Sequence, residues 1–365
     1  MAEDRRRRQG NRGQASGRRD TRAREAERHI AAMASRFGRE IESSVAGIRA
    51  YDGIPRGKNA PRPVAAPVAP EVEGEPEAAS ALEVSTLAAE DSVTGVPAAG
   101  ETPTTEAEAV PAEPALPLPK ISVVAQDSVT AILERGRGRA QFCDLAVLDF
   151  ASFVSPGGGY DRGAWAQEEA LCGESFLYNV LTTQRSWYGE NRRRNINCEL
   201  YRNRALAVPA VRFSRDKVHA YADVIVAAAP NARRAREEYR VDDAALITAL
   251  NERIRLVLAI ADDLGHEKLI LGAFGCGVFG WDAQLVAEAF RAELARGTHV
   301  ATEVIFAIPR TSYEEHLAVF EHAFATFPER NPETYADAAA RAASAREASA
   351  AEEDDEDEDD WRRYL

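Results

Sequence analysis

The chain has 365 residues, 45% of them apolar and 28% charged, with a formal net charge of −14 at pH 7, which is enough for one sizeable core with appendages or at most two domains. No apolar run approaches the length of a membrane span, and no apolar h-region follows the Arg-rich N-terminus, so neither a transmembrane helix nor a secretory signal is expected and the chain reads as cytosolic. The four cysteines, Cys143, Cys172, Cys198 and Cys276, form no CxxC pair and have no His at zinc spacing, which argues against a disulfide scaffold and a structural metal site.

Residues 1–28 hold ten Arg and five acids without an apolar period. They are expected to form a disordered basic arm able to contact polyanions through salt-sensitive phosphate contacts; a merely solvated tail is the plainer alternative. Ile30, Met33, Phe37, Ile41, Val45 and Ile48 then recur at spacings of three and four, the period of one helical face. An amphipathic helix over 29–56, stopped by Gly53 and Pro55, is expected to pack on something. Residues 57–119 hold eleven of the eighteen prolines, with much Ala, Glu and Thr. Such a composition cannot bury enough apolar surface to offset ordering and reads as a disordered linker.

The core is expected over 120–327. It opens with the β-branched run ISVVAQ, followed by Asp127 and Ser128 as cap candidates for a helix to about Arg135. CDLAVLDFAS is the next strand, apolar nearly throughout as when both sheet faces are covered. Its C-terminal end delivers the chain into PGGGYDRGAWAQEEALC, Pro156 to Cys172, the place where open α/β sheets bind ligands. Gly157, Gly158 and Gly159 lack a Cβ, so a ligand can approach their N–H groups directly. A helix from about Ala164 to Leu181 would put this nest at a helix N-terminus that favours an anion, and a diphosphate would fit. Glu168 and Glu169 diverge by roughly 100° on such a helix yet stay within electrostatic reach, the usual way to keep a proton donor beside an ionised neighbour. The plainer alternative is a glycine turn with two exposed acids in the first turns of a helix.

Residues 186–207, rich in Arg and Asn, read as a surface loop, and PAVRFS and ADVIVAAAP as strands. A helix from about Asp242 to Asp263 leads to the buried strand KLILGAFG and a second glycine turn at Gly272, Gly275, Gly277 and Gly280, with a helix from Asp282 to Leu294. Two strand–loop–helix units of this kind can grip a diphosphate between them. EVIFAIP and a helix from Ser312 to Phe327 close an α/β fold with helices on both sheet faces. Residues 328–365 form an Ala-rich segment and a tail with nine consecutive acids, Glu352 to Asp360, expected to be disordered.

The glycine triplet, short spacer and Gln167-Glu168-Glu169 resemble the signature of the bacterial-type poly(ADP-ribose) glycohydrolases, a branch of the macrodomain superfamily. LDFAS, ESFLY, AAAPN and LGAFGCGVFG extend the resemblance over roughly residues 120 to 327. It implies a macrodomain-like mixed β-sheet with helices on both faces, preceded by an N-terminal helix. It also implies hydrolysis of ribose–ribose bonds in poly(ADP-ribose) or ADP-ribosylated proteins, through an oxocarbenium-like transition state and without cofactor or metal. By resemblance Glu169 is the catalytic acid, and Glu168 and Ser152 hold ribose hydroxyls. Gln167 and both glycine loops, the second with Gly275, Cys276, Gly277 and Val278, belong to the substrate site, and Phe279 packs beside the ribose. Ser152 stands where vertebrate-type members carry Asn, and Trp281 where a small polar residue is expected. Two other classes fit the same residues: a module that reads ADP-ribose without cleaving it, and a hydrolase of mono-ADP-ribosyl or other ADP-ribose derivatives.

Overall fold

A computed structural model describes residues 2–55, 116–310 and 315–345, apart from the side chains of 2–16. Most of the expected linker, 56–115, and the acidic tail lie outside the described residues. One seven-stranded mixed sheet organises the rest. Its strands are β1 (Arg49–Tyr51), β2 (Lys120–Val124), β3 (Leu145–Phe150), β4 (Ala205–Arg215), β5 (Val218–Ala227), β6 (Lys268–Leu271) and β7 (Glu303–Ala307), in the spatial order β1-β4-β5-β3-β6-β7-β2. The five strands from β5 to β2 run parallel, while β4 and β1 extend the sheet antiparallel.

Alternation along β3 shows how both faces are covered. Ala146 and Leu148 enter one core with α6 (Ala232–Tyr239), α7 (Asp243–Leu264), α8 (Ala283–Leu294) and α9 (His316–Phe324). Leu145 and Val147 enter the other, because successive side chains of a strand point to opposite faces. That second face is covered by α1 (Ala2–Ala46), α2 (Ser128–Arg135), α3 (Gln167–Gly173), α4 (Leu177–Leu181) and α5 (Arg185–Arg194). Asp127, Asp242 and Asp282 cap α2, α7 and α8, each accepting the N–H three residues on, which satisfies an otherwise orphaned donor. Among the described residues no helix is long and apolar enough to cross a membrane.

Four expectations need correction. The Arg-rich stretch is not disordered up to residue 28: α1 runs from Ala2 with a kink at Phe37, and its positions 30, 33, 37, 41 and 45, with Ile48 just beyond, pack on the sheet. The helix does not reach 56 either. It ends near Gly47, and residues 49–51 pair with β4, so residues 17–55 are built into the same compact unit as the chain from 120 onward. The helix expected over 164–181 is two helices, interrupted where Ser175 bridges to Phe213 and Ser214 N–H donates to Glu174 O. Residues 185–194 form α5 rather than a loop. Its buried face is Trp187, Tyr188 and Asn191, a helical spacing hidden because the Asn is spent on polar contacts and carries no apolar signal.

Candidate active site

The loops after β3, β5 and β6 leave the carboxyl ends of adjacent strands and enclose a cavity of about 770 Å³. Gln167 anchors its floor. The side-chain Oε1 accepts the Phe150 N–H at 2.9 Å, while Nε2 donates to Leu148 O at 2.9 Å and to Ser128 Oγ at 3.2 Å. The start of α3 is thereby pinned across the end of β3. The two following side chains diverge on the helix, and each finds a different backbone donor. Glu168 Oε2 accepts the Ser152 N–H at 2.7 Å, with a further backbone bond from Gly157, and Glu169 Oε1 accepts the Gly159 N–H at 2.9 Å.

The glycine triplet therefore does something other than the expected nest. It does not abut a helix N-terminus, because a single 3-10 turn at Tyr160–Arg162 and Gly163 intervene before α3. Its amides turn on the protein: Gly158 N–H donates to Ser155 O, and Gly157 and Gly159 serve the two carboxylates. Gly158, at φ +61, faces the pair so closely that a Cβ there would stand 2.6 Å from Glu169 Oε1 and 2.8 Å from Glu168 Oε2. Only glycine fits that position.

The second loop offers the open donors. Cys276 and Gly280 N–H groups close turns within the loop, whereas the amides of Gly277, Val278 and Phe279 donate to no acceptor among the described residues. Trp281 does not shape the rim. It is 3% exposed behind the loop, with Nε1 donating to Pro230 O at 2.7 Å and its ring filling the space a Cβ on Gly275 would need. Phe279 meets Tyr201 edge to face at 6.2 Å, and Tyr201 stacks on Phe153 at 4.5 Å, forming an aromatic wall.

Of the residues singled out from the sequence, Ser152, Gly158, Gln167, Glu168, Glu169, Gly275, Gly277, Val278 and Phe279 line this one cavity. Gly157, Gly159 and Cys276 stand behind it. Among the described residues no group of His, Cys, Asp and Glu is arranged to hold a metal ion. Sequence reasoning passed over Asp149, an acid inside the apolar strand β3 and 0% exposed, with neither carboxyl oxygen hydrogen-bonded. Burial, and secondly the nearby Glu169, push its carboxyl well above the usual range. Glu168 is raised as well, by burial first and then by Asp149. Tyr188 and Cys172 lie in the same electrostatic neighbourhood and are pushed up by burial and then by Glu168. The signal was legible: one carboxylate on the inward alternation of a buried strand needs a reason.

A family model described as microbial-type PARG, catalytic domain, matches residues 36–216. Poly(ADP-ribose) glycohydrolase from Thermomonospora curvata bound to the inhibitor ADP-HPD is 33% identical, over 56% of this chain and 79% of that chain, with a TM-score of 0.50. A single-substitution variant of the Deinococcus radiodurans enzyme in complex with ADP-ribose is 32% identical, over 57% of this chain and 84% of that chain, with a TM-score of 0.50. Another structure of the Thermomonospora curvata enzyme, at 23% identity and a TM-score of 0.58, covers 82% of this chain and 98% of that one and speaks to the fold. No curated protein sequence matches.

Proposed function

The chain belongs to the microbial-type poly(ADP-ribose) glycohydrolases, and from that membership we propose that it cleaves the ribose–ribose glycosidic bond of poly(ADP-ribose) and releases ADP-ribose. The observation that carries the reading is the glutamate pair on the cavity floor, each carboxylate fixed by its own backbone donor, Ser152 for Glu168 and Gly159 for Glu169. Cleavage at an anomeric carbon needs a proton on the leaving oxygen and a positioned water. Glu169 supplies the proton as the C–O bond breaks, leaving an oxocarbenium-like ribosyl centre. As carboxylate it then takes a proton from the water that attacks that centre, so one water is consumed and the acid is restored. Glu168 and the Ser152 side hold the ribose hydroxyls, and Phe279 restrains the ring against the Tyr201–Phe153 wall.

The diphosphate is assigned to the open amides of Gly277, Val278 and Phe279, with Gly158 as the facing wall, because those amides lack acceptors and can supply the oriented donors that an anion requires. This narrows the anion's donors from both glycine loops to the second. The reading is tested by incubating the full chain with poly(ADP-ribose) and assaying free ADP-ribose. Release of monomer supports it, whereas tight binding of ADP-ribose without turnover would make the protein a reader.

A further inference from the structure

Trp165 stands between the glycine loop and α3, 65% exposed, on the same cavity that Gly158 and Glu169 line. It belongs to neither core. Such an indole exposes a large apolar face beside the groups assigned to the chemistry. Arg162, three residues before it, has a 57% exposed side chain whose Nη2 donates to Gly158 O at 2.8 Å and whose Nη1 pairs with the exposed Asp161 at 3.0 Å. α1 crosses this loop closely. Arg19 Nε donates to Arg162 O and Arg22 Nε to Gly163 O, both at 2.9 Å. Those bonds use only Nε, and no carboxylate pairs with Arg18, Arg19 or Arg22 among the described residues. By contrast Arg215 pairs with Asp127 and Glu174, and Arg234 with Glu199 and Glu238. On a chain of net charge −14, Arg19 and Arg22 thus stand, among the described residues, without a carboxylate partner against the loop that carries Trp165.

We propose that Trp165, Arg162 and the Arg19–Arg22 turn of α1 form a second subsite, which holds the ADP-ribosyl unit adjoining the one in the cavity. The purine base stacks on Trp165 and the diphosphate lies along the guanidinium edge. The pairing of an aromatic face with a basic track is the physical solution for gripping a flexible polyanion whose bases are exposed. The family model begins at residue 36, so the arginine turn lies outside the matched part, whereas Arg162 and Trp165 lie within it. The inference rests on the glycohydrolase reading above, since it names what the same site does with a polymer.

The test uses the full chain carrying Glu169→Gln, so that oligo(ADP-ribose) survives, and compares binding of that oligomer with binding of ADP-ribose. Trp165→Ala is expected to weaken the oligomer roughly tenfold and to leave ADP-ribose within twofold, and Trp165→Phe to recover most of the loss. Arg19→Gln with Arg22→Gln also removes two bonds to the loop, so its readout is the salt slope rather than the affinity. The dependence of log affinity on log salt is expected to flatten by about 1.4 for the oligomer, two phosphate contacts at about 0.7 each, and to stay unchanged for ADP-ribose, whereas an equal change of slope for both ligands overturns the basic track. Equal oligomer affinity in Trp165→Ala overturns the subsite. Parallel weakening of oligomer and monomer also overturns it, because Trp165 then belongs to the primary pocket. If the unsubstituted protein binds neither ligand, the glycohydrolase reading itself fails and the subsite falls with it.

Discussion

Gly158 bears the tightest constraint in the site, because its left-handed φ and the two carboxylates above it both exclude a side chain. Gly158→Ala adds about 1–2 kcal/mol of backbone strain and drives Glu168 and Glu169 from their donors. Turnover of poly(ADP-ribose) is expected to fall at least about 100-fold, the cost of displacing catalytic groups by an ångström, while circular dichroism stays that of the folded chain; undiminished turnover would refute the contact. Asp149 gives a second test. Its carboxyl is raised by burial and by Glu169, so the neutral acid is the form the fold prefers. Its contribution to stability is complete below the unfolded Asp value and is lost as pH rises through the folded one. Asp149→Asn removes that loss. Each unit of elevation is worth about 1.4 kcal/mol, or roughly 2–4 °C in Tm per kcal/mol for a domain of this size. The variant is therefore expected to melt several degrees above wild type at pH 8 and near it at pH 4, and an identical difference at both pH values would contradict the assignment. At this scale the sequence spoke unevenly. The Gln167-Glu168-Glu169 run pointed to the family, but it could not say that the triplet's amides would serve carboxylates rather than phosphate, because that depends on where α3 begins.

Elements place these residues, and two of them do so from a distance. α5 reaches the loop after β3 through Asn191, fully buried, which donates to Phe153 O at 2.9 Å and accepts from Arg204 Nη1 at 2.6 Å. Asn191→Ala leaves a buried carbonyl and a buried guanidinium each short of a partner, at about 1–3 kcal/mol per group. A fall in Tm of at least about 4 °C is expected, and a fall below 1 °C would show that the contacts are solvated. α1 presses on the loop after the glycine triplet more directly, through Arg19, Arg22 and the His29 Nδ1–Tyr160 OH contact at 2.9 Å. A chain beginning at residue 120 also loses β1 and the apolar face from Ile30 to Ile48. Roughly 5 kcal/mol or more goes with those partly buried side chains, comparable with the whole stability of many domains, about 5–15 kcal/mol. Residues 17–345 are expected to fold and 120–345 to remain insoluble or molten; a cooperative melt and full turnover from 120–345 would contradict this. Periodicity found the apolar face of α1 because its residues repeat at three and four. It missed the helical arm before it, because charged residues in a helix leave no apolar period to read.

At the scale of the whole molecule, seven strands in mixed array bring the loops after β3, β5 and β6 to one end, and that convergence gathers residues as far apart in sequence as Asp127 and His316 around one cavity. The alternation of strands and helices was readable from apolar runs and caps. The order of the strands was not, since parallel neighbours such as β3 and β5 lie some seventy residues apart in sequence and no local pattern records the pairing. The central claim is that this convergence puts Glu169 where it gives and then recovers a proton at the ribose bond. The most direct measurement is the rate of ADP-ribose release from poly(ADP-ribose) by full-length wild type and by Glu169→Gln, with ADP-ribose affinity measured alongside. Gln keeps the shape and a hydrogen bond but transfers no proton, so release is expected to fall by about 10²–10⁴, with affinity changed no more than severalfold. Equal rates in the two proteins would contradict the account.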